Sequence, residues 1–340
     1  MRLKKISIIL YLSVTSTFSF SETTLHSELF DYLDESETTS FLLSQKGDVI
    51  INKEFKLKKT LNPMNKMFFN LFRHGSIDTR SQEDVASIQK SVVSILIGIA
   101  QKRGLLNLDD SVTKYIGKWT QLEDAKENPI TIKNLLTMTS GLDVDFNFQF
   151  KPGSEWKYNS RAYSQLISVL ELSSGLDINT LSSQWLFAPL EMNNTFWKQR
   201  AKGPLGFRKD SSKYGLVTTA EDLLKFGQFI LKAKKNKTSN ILTDEKFFEE
   251  SFTKSQNKNE AYGYLWWLNN STSHMTWDKG LSSGRLLPNA PDETILALGA
   301  GSRVLAIVPS EELILVRLGS FPEDPNFINN LWEYIQNLYS

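Results

Sequence analysis

Ser87-Ile88-Gln89-Lys90-Ser91-Val92-Val93-Ser94 opens a long apolar helical pattern, in which Ile88, Val92, Val93, Leu96, Ile97, Ile99 and Ala100 recur at helical spacing until Gly104. A serine and a lysine three residues apart share one helix face. The start of a helix carries unpaired N–H groups and a partial positive charge, a field that disfavours a second cation. Burial acts in the same direction, so a lysine here sheds its proton more readily. A neutral amine can take the serine proton and activate the hydroxyl as a nucleophile. The S-x-x-K spacing also starts at Ser111, Ser154, Ser251 and Ser255. Those four lie in polar stretches or loops, and only the pattern at Ser87 opens a helix apolar enough to desolvate an amine. Taken alone, Ser87 also reads as a plain helix N-cap.

On either side of this helix the pattern is β-rich. Ser40-Phe41-Leu42-Leu43-Ser44 and Val49-Ile50-Ile51 flank Lys46-Gly47-Asp48, which predicts a hairpin. Trp266-Trp267-Leu268, Ile295–Leu298, Val304–Val308 and Leu313–Val316 are the later strand candidates. The last two are joined by Pro309-Ser310-Glu311-Glu312 and are expected to pair antiparallel. Between the two β-rich ends, helices are expected from Thr131, from Tyr163 to a stop at Gly175, and from a capping-box-like Thr219-Ala220-Glu221-Asp222. Asn326–Leu338 reads as a closing amphipathic helix, and Lys234–Lys237 as a solvated loop. The fold class is therefore α+β. Residues 22–86 and 255–340 form one antiparallel sheet from both chain ends, residues 87–254 form a mostly helical insertion, and the site lies at the seam.

Arg2, Lys4 and Lys5 precede an apolar stretch from Ile6 to about Phe20, and Ser19 and Ser21 suit a cleavage site. Residues 1–21 are read as a signal peptide and 22–340 as the exported protein, periplasmic or secreted. A retained anchor is the other reading. After cleavage no stretch is long and apolar enough for a stable membrane span.

Of the 340 residues, 39 are Lys or Arg and 38 are Asp or Glu. The near balance gives no electrostatic footprint for nucleic acid. Absence of cysteine rules out disulfides, thiol nucleophiles and cysteine metal sites. The only histidines are His26, His74 and His274, without metal-ligand spacing, so neither a metal nor a cofactor is expected. Gly280-Leu281-Ser282-Ser283-Gly284 matches the G-x-S-x-G nucleophile elbow in letters only. Pro288 and Pro291 follow it closely, and no histidine lies downstream.

The segment from Ser87 to Ser94 resembles the nucleophile helix of the serine β-lactamase-related hydrolases. These include class C β-lactamases, D-Ala-D-Ala carboxypeptidases, related esterases and nylon-oligomer hydrolases. The similarity continues through Ile130–Leu142, Pro152-Gly153 with Tyr158-Asn159-Ser160, Gly215–Leu223, Tyr262–Trp267 and Ala297–Gly301. It implies a β-lactamase/transpeptidase-like fold with Ser87 as the acylated nucleophile. Lys90 and Tyr158 share the proton transfers, and the N–H groups of Ser87 and Ala300 form the oxyanion hole. Asn159, Ser160, Gly299, Gly301 and Arg303 fall at positions implied to touch substrate. Taken alone, Tyr158 reads rather as a loop tyrosine packed on Trp156.

Two positions depart from the family pattern. Asn159 and Ser160 stand where Y-x-N is usual, and Ala297 replaces a Lys or His. Arg303 either supplies the missing cation or faces solvent. The resemblance is nearest to the nylon-oligomer-hydrolase and esterase-like branch, with a small ester, amide or peptide as substrate. A β-lactamase or D,D-peptidase, and a non-catalytic binding or sensor protein, are the alternatives. If lysine and tyrosine carry the protons, replacing all three histidines together should leave hydrolysis of a p-nitrophenyl ester intact. A folded but inactive triple variant would overturn this mechanism.

Overall fold

Lys46 and Gly47 both take left-handed backbone angles and reverse the chain between the strands Thr38–Gln45 and Asp48–Glu54, the expected first hairpin. The computed structural model describes residues 17–56, 63–200, 212–235 and 242–338. Thr38–Gln45 pairs on its other edge with Leu313–Gly319, so the two chain ends meet in one sheet. Leu313–Gly319 pairs antiparallel with Arg303–Val308, which pairs with Ile295–Gly299, and Trp267–Leu268 closes that edge. All residues of Arg303–Val308 and Leu313–Gly319 are buried, so the middle of this six-stranded sheet is covered on both faces.

The helix Ala220–Lys235 packs on the strands Thr38–Gln45, Arg303–Val308 and Leu313–Gly319. It belongs in space to the sheet, although its place in the sequence is in the helical middle. Lys234 and Lys235 close this helix, Lys235 pairs with Glu312, and the rest of the expected loop lies outside the described residues. Thr17–Glu35 packs on the closing helix Phe327–Asn337 and on Thr38–Gln45. Most of the leader, residues 1–16, lies outside the described residues. Among the described residues, no helix is long and apolar enough to cross a membrane.

A second sheet, of four short strands, orders Arg73–Ile77, Arg80–Asp84, Tyr214–Thr218 and Phe196–Gln199. The strand Arg80–Asp84 runs directly into a 3₁₀ turn, Ala86–Ile88, and then into the helix Gln89–Lys102. Every residue from Gln89 to Ala100 is buried. A helix enclosed on all sides is an interior helix, and this one packs on Gln165–Ser174 and Glu245–Ser251. The other expected helices form as read. Thr131 and Asn134 make a reciprocal capping box, Gly175 ends its helix in the left-handed region, and Thr219 Oγ1 accepts from Asp222 N at 3.3 Å.

Gly227 lets the helix Ala220–Lys235 lie close on the sheet. A Cβ there would stand 2.9 Å from Ile314 Cγ2 and 3.1 Å from Leu305 Cδ1. Gly227→Val should overpack this contact at a cost of about 1–3 kcal/mol. Thermal unfolding followed by circular dichroism should show a lowered midpoint.

Candidate active site

Lys90 Nζ lies 2.8 Å from Ser87 Oγ. The lysine is buried, with its nitrogen 4.9 Å from the ring centre of Tyr158 and 4.8 Å from that of Tyr163. Burial holds its pKa well below the ordinary lysine value, and the nearby positive charge of Arg200 lowers it further, while Asp84 opposes the shift. The amine is thereby prepared to act as a base.

Ser87 sits inside the 3₁₀ turn and makes no capping bond, so it is not the N-cap of the following helix. Its neighbour Ala86 has φ +51°, in the left-handed region. Such a conformation costs a non-glycine residue about 1–3 kcal/mol and needs support from its surroundings. Support comes from Asp84, whose Oδ1 accepts from Ala86 N at 3.0 Å, while Val85 N donates to Leu216 O at 2.9 Å. Asp84 is in turn clamped by Arg200, with Nε to Oδ2 and Nη2 to Oδ1 both at 2.6 Å. Gln89 Oε1 accepts from both Arg200 Nη2 and Leu216 N.

Tyr158 comes from the loop preceding the helix Ser160–Tyr163. That loop lies against residues 138–143 through Gly153 N to Thr139 O and Lys157 N to Met138 O, both 2.8 Å. Tyr158 stacks on Trp267, and Trp156 and Tyr262 complete an aromatic cluster. Its phenol is pushed up to about 12 by burial, with the hydroxyls of Ser87 and Ser160 pulling the other way. Tyr158 is therefore a protonated phenol at neutral pH, beside the Ser87 hydroxyl.

The end of the strand Ile295–Gly299 lies against the nucleophile turn. A Cβ on Gly299 would come 2.4 Å from Val85 O, so only glycine allows this approach. Ala300, the next residue, is exposed at the strand end. Ala297 is buried and pairs with Leu305, so it brings no cation to the site.

Two residues expected to touch substrate are used otherwise. Asn159 is buried. Its Oδ1 caps the helix Ser160–Tyr163 by accepting from Arg161 N and Ala162 N, and its Nδ2 donates to Leu142 O and Asp143 O. All its polar capacity goes to holding the loop. Arg303 is neither a substrate cation nor a solvent-facing residue. It is fully buried, with Nε and Nη2 on Glu83 Oε2 at 2.8 and 2.6 Å and Nη1 on Ala300 O at 2.8 Å. Burial would raise the Glu83 carboxyl, but Arg303 and the hydroxyls of Thr39 and Ser81 outweigh it and hold the pKa below the ordinary value.

Asp84, Arg200, Gln89, Glu83 and Tyr163 join the site only in three dimensions. The adjacent pair Glu83-Asp84 immediately before the apolar helix was the available signal. Arg200, more than a hundred residues away, gave none. Ser282 lies on a two-residue strand, Ser282–Ser283, with Gly284 rather than a helix after it, so no nucleophile elbow forms. Among the described residues, no group of three or more His, Asp or Glu side chains is placed to hold a metal.

The Beta-lactamase family profile matches residues 34–336, and the chain belongs to this family. An uncharacterized protein of Alkalihalophilus pseudofirmus is 26% identical over 283 residues, covering 76% of this chain and 80% of that one. The D-alanine carboxypeptidase AmpC of Burkholderia cenocepacia superposes with a TM-score of 0.65 at 18% identity, over 94% of this chain and 99% of that one. EstCE1, a hydrolase with promiscuous acyltransferase activity, gives a TM-score of 0.65 at 15% identity, over 96% and 100% of the two chains. At these identities the structural likeness speaks for the fold, which is the β-lactamase/transpeptidase-like fold. The family supports a serine hydrolase.

Arg200→Met removes a positive charge near Lys90 and releases Asp84 from its partner. Both changes raise the lysine pKa. A neutral amine is the active form, so the acid limb of the kcat/KM profile should move to higher pH, with activity recovering as pH rises. An unmoved limb in a folded variant would show that Lys90 is not the titrating base.

Proposed function

We propose that this protein is an exported serine hydrolase that cleaves a small ester or amide through an acyl-enzyme on Ser87. The observation that carries the reading is the 2.8 Å contact between Ser87 Oγ and a buried Lys90 amine whose pKa is depressed. The Ser87 proton passes to Lys90 as Oγ attacks the substrate carbonyl carbon. The carbonyl electron pair moves onto oxygen, which the N–H groups of Ser87 and Ala300 receive. Such donors are worth about 10²–10³ in rate each. When the intermediate collapses, Tyr158 donates its proton to the leaving oxygen or nitrogen and regains one from the Lys90 ammonium. Water repeats the sequence on the acyl-enzyme and frees the acid.

A buried Ala297 and a sequestered Arg303 favour a neutral substrate over a carboxylate-bearing one, and so an esterase or amidase over a β-lactamase or D,D-peptidase. The basic and apolar leader supports export.

Ser87→Ala should abolish both hydrolysis and fluorophosphonate labelling while the fold persists, and Ser282→Ala should change neither. Lys90→Met should stop turnover. Tyr158→Phe keeps the ring stack and should cost about 10²–10⁴-fold, the scale of a general acid or base. A p-nitrophenyl ester should be cleaved faster than nitrocefin; the reverse order would favour the penicillin-recognising alternative. Absence of labelling in the folded wild-type protein would favour a non-catalytic role.

A further inference from the structure

The turn Ala300-Gly301-Ser302 joins the strands Ile295–Gly299 and Arg303–Val308 and carries the Ala300 N–H. Two of its residues, Gly301 at φ +79° and Ser302 at φ +53°, lie in the left-handed region, and for Ser302 that conformation is unfavourable. Hairpin pairing alone does not hold this turn. Two buried guanidinium groups grip consecutive carbonyls from behind. Arg303 Nη1 donates to Ala300 O at 2.8 Å, and Arg317 Nη1 donates to Gly301 O.

Each arginine is itself fixed. Arg303 is locked on Glu83, four residues before Ser87. Arg317 lies one strand further in. Its Nε donates to Thr38 Oγ1 at 3.1 Å and its Nη2 to Ser36 O and Ser320 O at 2.6 and 3.1 Å. Both arginines are wholly buried. Burial, then repulsion by Arg303, brings the Arg317 pKa down to about 9, which leaves it protonated at neutral pH. Glu83 is paired with Arg303, and the carboxylates of Glu83 and Glu37 both act on Arg317 and favour its charged form. The turn is thus backed by two fixed guanidinium groups in a low-dielectric interior, where a hydrogen bond from a charged donor is strong.

We propose that Arg303 and Arg317 are positioning residues for the oxyanion hole: they fix the Ala300-Gly301-Ser302 turn beside Ser87 and so hold the Ala300 N–H in place. This rests on the proposed acyl-enzyme chemistry at Ser87. Neither side chain touches substrate. They act by fixing the turn that follows the Ala300 N–H, so their contribution belongs to the transition state rather than to substrate binding.

The test compares wild type with Arg317→Lys, Arg303→Lys and Thr38→Val. Thr38→Val removes only the hydroxyl that Arg317 Nε contacts, which keeps a mild variant available if a lysine variant fails to fold. Hydrolysis of p-nitrophenyl butyrate and inhibition by phenylboronic acid are measured, with active sites counted by fluorophosphonate titration. In the boronate complex Ser87 Oγ adds to boron, its proton passes to Lys90, and the tetrahedral boronate carries the negative charge. The lysine variants should lose about 10- to 100-fold in kcat, with KM within about threefold, and a similar factor in phenylboronic acid affinity. Thr38→Val should lose about threefold in both, a fraction of the same effect. A purely structural role would lower the number of titratable sites and the thermal midpoint while leaving kcat per site and boronate affinity unchanged, and that result overturns the proposal. So does a loss confined to KM. Wild-type protein that neither turns over ester nor labels at Ser87 would instead sink the acyl-enzyme reading, and this inference with it.

Discussion

Everything at the site depends on two adjacent carboxylates that the strand Arg80–Asp84 sends in opposite directions. Successive strand residues point to opposite faces. Glu83 reaches Arg303 in the six-stranded sheet, while Asp84 reaches Arg200 just beyond the last strand of the four-stranded sheet. The turn Ala86–Ile88, which carries Ser87, begins two residues after Asp84 and is pinned to both sheets before it departs from regular geometry. Buried ion pairs of this kind add little net stability, because desolvation offsets their attraction. Removing one partner is nonetheless severe, about 3–5 kcal/mol, since the other charge is left buried alone. Their consequence is conformational: Ala86 is held in the left-handed region, and the Ser87 hydroxyl is set against Lys90.

The architecture was legible in the sequence because it rests on local patterns. The first hairpin, the antiparallel pair around Pro309–Glu312, the capped helices and the closing amphipathic helix are each encoded within a dozen residues. The Ser87–Lys90 pair was legible for the same reason, since helical spacing alone brings the two side chains together. Arg303 was not. A strand residue alternates between two faces, and nothing in Val304–Val308 tells which face is covered or that Glu83, 220 positions away, lies opposite. Asn159 failed differently. Its place beside Tyr158 suggested a substrate contact, but an asparagine just before a short helix is also a good N-cap, and that local bond prevails. The charge on Arg200 had no sequence signal, because the loop and strands that bring it to Asp84 are assembled only by the tertiary fold.

The same long-range contacts set the protonation states on which the chemistry depends. Within one small volume the chain places a lysine, three buried or half-buried tyrosines, an aspartate and an arginine. Desolvation contributes most to the shift at Lys90, Arg200 adds to it and Asp84 opposes it. Burial also raises Tyr158, Tyr163 and Tyr262, and all three stay neutral phenols at neutral pH. Among the described residues, Asp84 is the anion that acts on the amine, and it is already bound to a guanidinium. An amine whose unprotonated form is favoured by burial and a protonated phenol flanking one hydroxyl are complementary: one is a proton acceptor and the other a donor. The guanidinium groups of Arg303 and Arg317 hold the Ala300-Gly301-Ser302 turn, and neither is among the charges that act on Lys90. Placing either cation beside Lys90 would depress its pKa further and weaken it as a base. Under the proposed mechanism, two guanidinium groups that fix the turn and a lysine that acts as base coexist in one site because the cations are bound to the turn and to Glu83.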